Sequence, residues 1–183
     1  MIIWVNGRLV GEHEPVVLAT DHGLTVGDGV FESVKIVDGR PLALDRHLAR
    51  LERSAIGISM PLPDLDWLRA GIRDAIAAFG PGAGRLRVTV TSGPGPLGSG
   101  RGHEGPTTLV HVGPVTPWAP AARVATMDWP RNERSPLAGV KMVSYAENAL
   151  ALATARARGA DEALLPNTVG NLCEGSGSNV FVV

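Results

Sequence analysis

Lysine is nearly missing from this chain: of its seventeen basic residues fifteen are arginine, and only Lys35 and Lys141 are lysine. Where any cation serves, the chain uses arginine, so a retained lysine draws attention to chemistry that a guanidinium cannot do. An amine can lose its proton and condense with a carbonyl. Cysteine is limited to Cys173, which excludes an intramolecular disulfide and predicts a reducing, cytoplasmic setting. No apolar run approaches the roughly eighteen residues that span a bilayer. The opening "MIIWVNGRLVG" lacks a basic n-region and a cleavage pattern. A soluble globular protein without membrane contact is expected. Charge of one sign is also lacking. The net charge is −1 and the arginines are scattered, so no nucleic-acid footprint is expected and small molecules are the expected partners. Five histidines and the one cysteine show no ligand spacing, so no metal site is expected. The G-x-S-x-G elbow, the P-loop ending and a strand-to-helix G-x-G-x-x-G are all missing, which removes serine-hydrolase and nucleotide fingerprints.

What is present reads as alternating β and α segments in 183 residues, enough for one ordinary domain or two small ones. "IIWV", Asn6-Gly7 and "RLV" predict a hairpin, and "VFESVKIV", Asp38-Gly39 and "RPLAL" a second. Asp45 is expected to cap a helix through "RHLARLERSAIG" that buries Leu48, Leu51 and Ala55 and ends at Gly57. A second helix is expected through "DLDWLRAGIRDAIAAFG", with Leu65, Leu68, Ile72 and Ile76 on one face and Gly80-Pro81 as its stop. "GRLRVTVTSG" and "TTLVHVGPV" read as strands around a loop, "GPGPLGSGRGHEGP". Three prolines in residues 114–122 mark a border, which gives an N-terminal domain over 1–113, a linker over 114–122 and a second region over 123–183. There "RVATMDW" reads as a strand, and Ser144 with Glu147 as a capping box for a helix from Tyr145 to about Arg158, closed by Gly159. Two further strands, "DEALLPN" and "NVFVV", are expected on either side of "TVGNLCEGSGS".

Lys141 therefore falls just before a helix. From the residues alone it is either a solvated cation or a reactive amine. Lys35, outward on an alternating strand, shows that the chain does keep a lysine without an obvious chemical reason. Glu174, in "CEGSGSN", precedes small residues that leave backbone amides accessible to a ligand; a polar β turn is the plainer alternative.

The order "DHGLTVGDGVFESVK", "HLARLERSA", Lys141 before a helix, "GADEALL" and "CEGSGSNVFVV" resembles the class IV aminotransferases, the fold type IV enzymes that use pyridoxal 5′-phosphate (PLP). The resemblance covers essentially the whole chain. It implies an α+β fold, with an N-terminal two-layer α/β sandwich followed by part of a C-terminal PLP-binding, barrel-like α/β domain. It implies that Lys141 carries the cofactor through its ε-amine and then moves the proton between the substrate Cα and the cofactor's C4′. Glu174 matches the carboxylate that pairs with the pyridine nitrogen, which makes the ring an electron sink. Arg50 matches the phosphate-binding arginine, whose planar fork suits oxyanions. Ser178 and Asn179 belong to the same cofactor-binding segment as Glu174.

Phe31 and Tyr145 resemble pocket walls, with the Tyr145 phenol a candidate partner of the cofactor's O3′. The tyrosine stands four residues after the lysine, where branched-chain members place it five after. Arg101-Gly102-His103 resembles the R-x-H substrate-carboxylate trap of D-amino acid transaminases, although those enzymes have a tyrosine where this chain has Phe31. The implied activity is transfer of an amino group between an amino acid, branched-chain ones among the candidates, and a 2-oxo acid, in a cytoplasmic homodimer. The alternatives are a 4-amino-4-deoxychorismate lyase that releases 4-aminobenzoate and pyruvate, a D-amino acid transaminase, and a non-catalytic fragment. Members of the family continue for about another third of their length beyond "NVFVV", so a chain lacking the C-terminal third is expected.

Overall fold

The computed structural model describes residues 1–115, 117 and 119–182. They form two compact units, one of Met1–Thr116 with Gly139–Ser144 and the other of Pro117–Ala138 with Tyr145–Val183. The expected linker over 114–122 includes Thr116 and Trp118, which lie outside the described residues, as does Val183. The Lys141 segment is part of the first unit by its contacts.

The first unit is built on an antiparallel sheet. Its strands are β1 (Ile2–Val5), β2 (Arg8–Val10), β3 (Gly29–Val37), β4 (Arg40–Pro41), β5 (Gly84–Thr91) and β6 (Thr107–Pro114), in the order β2-β1-β6-β5-β3-β4. Both expected hairpins form. Asn6 and Gly7 take φ 45° and 103°, and Asp38 and Gly39 take 48° and 71°, the positive values that two-residue turns of the right twist require. The return strand after Gly39 is only Arg40–Pro41. A short helix α1 (His22–Thr25) precedes β3.

Helices α2 (Leu44–Gly57) and α3 (Leu65–Phe79) cover one face of this sheet. The alternation of β3 puts Val30, Val34 and Ile36 on that side, where they join Leu86, Val88, Val90, Val110 and Val112 from β5 and β6 and Leu48, Leu51, Leu68 and Ile72 from the helices. Full burial of each such aliphatic side chain contributes about 1.5–3 kcal/mol. Asp64 caps α3 by accepting from Trp67 N at 2.8 Å. Asp45 does not cap α2. Ala43 occupies that position in the left-handed region, φ 51°, because the hairpin returns so tightly that the helix starts two residues early. Asp45 lies in the first turn and pairs with Arg69 Nη1 at 2.6 Å. Gly57 is the last residue of α2 and Ile58 its cap.

The second unit holds a three-stranded sheet, β7-β8-β9, from β7 (Val124–Thr126), β8 (Glu162–Pro166) and β9 (Leu172–Gly175). β7 and β8 are parallel, and α4 (Ala146–Ala157) lies between them in the chain and packs Ala151 and Ala155 against Ala163 and Leu165. The expected capping box does not form. The cap position of α4 falls on Tyr145, and the Glu147 carboxylate accepts from Arg131 Nη1 at 2.6 Å. The strand expected at "NVFVV" is also displaced, since residues 179–182 carry no strand and β9 lies earlier, within the expected spacer. Asn167 is the physical reason. Its Oδ1 accepts from Val169 N at 3.2 Å and Asn171 N at 2.8 Å, which closes a tight turn and lets Leu172 return at once against β8. Among the described residues no helix is long and apolar enough to cross a membrane.

Candidate functional site

Backbone pairing places Lys141. Residues 139–144 run along the edge of β3: Phe31 N donates to Lys141 O at 3.0 Å, Val143 N donates to Gly29 O at 2.9 Å, and Val30 and Met142 form an antiparallel bridge. Paired residues share a face, so Met142 lies level with Val30 on the helical side and Lys141 level with Phe31 on the other. Lys141 Nζ lies 4.4 Å from the centroid of the Phe31 ring. The Arg87 guanidinium lies 3.8 Å from the same centroid. Both are within cation–π range, so Phe31 is the apolar wall of a basic corner. His111, in register with Arg87 across β5 and β6, has its pKa lowered by burial and secondarily by the Arg87 charge. Gly29 allows the edge to form. A Cβ there would lie 2.8 Å from Val90 O and 3.2 Å from Val143 Cγ2.

Arg50 lies on the helical side, on α2. Glu32, the inward charged residue of β3, is wholly buried and accepts from Arg50 Nε at 2.5 Å and Nη2 at 2.6 Å. His47 Nδ1 lies 2.7 Å from Glu32 Oε2. Burial raises the Glu32 pKa, but hydrogen bonds from Arg50 and then His47 outweigh it and leave the carboxyl below its ordinary range. An ionised carboxylate can only accept, so His47 Nδ1 carries a proton. Arg50, with 45% of its side chain exposed, is thus held on a rigid element by a buried anion.

Arg101 is engaged within the same unit. Its Nε donates to Asp28 Oδ2 at 2.6 Å and its Nη2 to Asp28 Oδ1 at 2.9 Å, with further bonds to the carbonyls of Ile58 and Ser59. The Arg101 hydrogen bond is also the main cause of the lowered Asp28 pKa. This fork fastens the glycine-rich loop to the end of α2. His103 is exposed.

In the second unit Glu174 sits on β9, not in the turn. Arg131 donates to its Oε1 from Nε at 3.0 Å and from Nη2 at 2.7 Å. Arg131 also reaches Glu147 Oε2 and, at 3.1 Å, Asn148 Oδ1. Burial lowers the Arg131 pKa, but the hydrogen bonds it donates to Glu174 and Glu147 more than offset this and raise it. The buried Asn148 donates to Ser176 O at 2.8 Å. The turn that follows Glu174 is shaped by Glu162, which accepts from Ser176 N at 3.0 Å, from the Ser176 hydroxyl, and from Ser178 Oγ at 2.9 Å. Gly175 N closes it onto Ser178 O at 3.0 Å. Asn179 follows this turn, and Tyr145 stands at the start of α4.

The structure therefore brings Lys141 and Phe31 together in one unit and gathers Glu174 and Ser178 in the other. Sequence reasoning missed Glu32, Asp28, Arg87, Arg131, Asn148 and Glu162. Glu32 had a readable signal, since it is the one charge at an inward position of an alternating strand. Arg131 had none.

Residues 29–183 match the family described as amino-transferase class IV. The chain is 33% identical over its whole length to a protein of Methanocaldococcus jannaschii named "putative branched-chain-amino-acid aminotransferase", and spans 65% of it. It is 31% identical to a bifunctional aminodeoxychorismate lyase / D-amino acid transaminase of Mycobacterium tuberculosis and spans 66% of that protein. The fold matches the PLP-bound form of a hypothetical aminotransferase from Mycobacterium tuberculosis with a TM-score of 0.84 at 28% identity, over 96% of this chain and 65% of that one. Solved members of the class are PLP-dependent fold type IV enzymes. The sheet, the edge-paired lysine and the extent of the match lead to one conclusion: the chain belongs to the class IV aminotransferase family.

Proposed function

We propose that this chain carries the cofactor-handling residues of a PLP-dependent aminotransferase that moves an amino group between an amino acid and a 2-oxo acid. The observation that carries the reading is Lys141, one of two lysines, fixed by main-chain pairing to β3 with its ammonium against Phe31. The donor set fits the group chemically. The first unit offers an amine for an aldehyde and, in Arg50, a half-exposed guanidinium anchored by Glu32 as a positive charge for a phosphate; the second offers the carboxylate of Glu174 for a ring nitrogen. When bound, PLP supplies an electron sink that stabilises negative charge at the substrate Cα.

Lys141 supplies the covalent anchor and then the base that takes the Cα proton and returns it at C4′. The Lys141 amine and the Arg87 guanidinium both lie against the Phe31 ring, which holds the amine at a defined place beside β3. Glu174 holds a proton on the ring nitrogen, Arg50 binds the phosphate, Ser178, Asn179 and Tyr145 line the cofactor, and Phe31 bounds the substrate. For Arg101 to act with His103 as a carboxylate trap, it must leave Asp28. A cytoplasmic homodimer is part of the proposal.

Purified protein with added PLP is expected to develop a visible band, and borohydride followed by peptide mass spectrometry should place the label on Lys141. No band, or a label elsewhere, refutes the reading. Similarity to the bifunctional Mycobacterium tuberculosis protein supports elimination from 4-amino-4-deoxychorismate as the second reading. Pyruvate release without 2-oxoglutarate-dependent amino transfer would establish it over the first.

A further inference from the structure

We propose that Arg131 is a positioning residue that aims Glu174, and that Asn148 ties this aim to the turn that follows. The inference rests on the cofactor role proposed for Glu174. Arg131 spends two N–H groups on a single carboxylate oxygen, Oε1. Among the described residues no hydrogen bond falls on Oε2. A carboxylate gripped at one oxygen is rotationally fixed, and the other oxygen is the one that remains for a ring N–H. Glu174 is 44% exposed on its side chain, so packing alone does not set its rotamer, and the Arg131 grip supplies what burial does not.

The guanidinium is itself held. Glu147 Oε2 at 2.6 Å and Asn148 Oδ1 at 3.1 Å bind it from the first turn of α4. Asn148 is 4% exposed, and its amide donates to Ser176 O. Glu174 and the Ser176–Ser178 turn are thus set by one network, with Arg131 and Asn148 bridging strand and helix. Arginine is suited to this because its planar fork presents several N–H groups at fixed angles, whereas lysine offers a single point of charge.

The test is a double-mutant cycle on cofactor affinity, with PLP titrated by its visible band into the full chain and into R131M, E174A and the double variant. Charge-assisted hydrogen bonds of this kind are worth about tenfold or more in binding. R131M and E174A are each expected to weaken PLP by at least about tenfold, and the double variant by clearly less than the two losses combined, because Arg131 acts chiefly through Glu174. R131K should recover part of the loss. Losses that add in the double variant, or an R131M affinity equal to that of the unaltered chain, overturn the inference and leave the cofactor reading intact. Failure of the unaltered chain to bind PLP overturns both. Circular dichroism melts of each variant identify misfolding, and Asn148→Asp, which removes the donor to Ser176 O while keeping the oxygen for Arg131, provides the second arm. It is expected to weaken PLP in the same way, and no change would remove Asn148 from the network.

Discussion

Glu32→Gln is the sharpest test of how the first unit is held together. The substitution keeps the shape of a wholly buried side chain and removes its charge, so it isolates the electrostatic part of the contact with Arg50 and His47. Removing one partner of a buried ion pair costs about 3–5 kcal/mol when the survivor stays buried. Here the survivor is 45% exposed, so Arg50 regains water and the cost falls to about 2–3 kcal/mol, closer to the value of charged hydrogen bonds. For a chain of this size that corresponds to a fall in melting temperature of roughly 5–10 °C. Urea unfolding followed by circular dichroism at neutral pH measures it directly. The pH dependence gives the sign. The Glu32 pKa is lowered from 4.5 in the folded protein, so ionised Glu32 stabilises fully above its ordinary value. That contribution is lost as pH falls through the lower folded value. The gap between the native protein and the variant should therefore be widest at neutral pH and close in acid. A variant as stable as the native protein at pH 7, or a gap that widens on acidification, would refute the reasoning.

Other consequences follow from particular residues. Ala43→Gly is expected to stabilise the protein by up to about 1 kcal/mol, because φ 51° penalises a Cβ and no side-chain cap bond is lost; urea midpoints check it. Gly71→Ala puts a Cβ 2.5 Å from the Trp4 indole, so it should destabilise by about 1–3 kcal/mol through overpacking, visible in the same transition. Asp28→Asn removes the charged fork on Arg101 and should make the loop between β5 and β6 more sensitive to limited proteolysis, with cleavage mapped by mass spectrometry. An unchanged digestion rate would show that Arg101 does not fasten that loop.

Elements whose hydrophobic period and turn residues agree were readable in advance. Asn6-Gly7 and Asp38-Gly39 specify their turns by backbone preference alone, and the inward residues of β3, α2 and α3 follow directly from alternation and helical spacing. Caps were less legible. Asp45 and the Ser144–Glu147 pair have the right chemistry for N-caps, but a tight hairpin return and the demand of Arg131 for an acceptor redirected them. The misplaced last strand has a similar cause. "VFVV" carries the β-type composition, yet the turn built by Asn167 decides where the chain comes back, and a side chain bonding to its own backbone leaves no periodic trace.

The same division separates the residues proposed to do chemistry from the residues that hold them. Lys141, Glu174 and Arg50, the residues proposed to handle the cofactor, are conspicuous because the type is scarce or the segment distinctive. Each of the two charged groups among them that needs aiming is gripped by a partner distant in sequence, Glu32 eighteen residues before Arg50 and Arg131 forty-three before Glu174. Such partners carry no local motif, since only the pairing of strands and the packing of a helix bring them within 3 Å. Glu32 still betrays itself, because an isolated carboxylate at an inward strand position demands a cation to offset its burial. Arg131 lies in irregular chain where no periodicity says which way it points. A buried charge on a regular element is therefore the kind of supporting residue that a sequence of this type discloses, and it is the place to look for the anion that anchors an arginine such as Arg50.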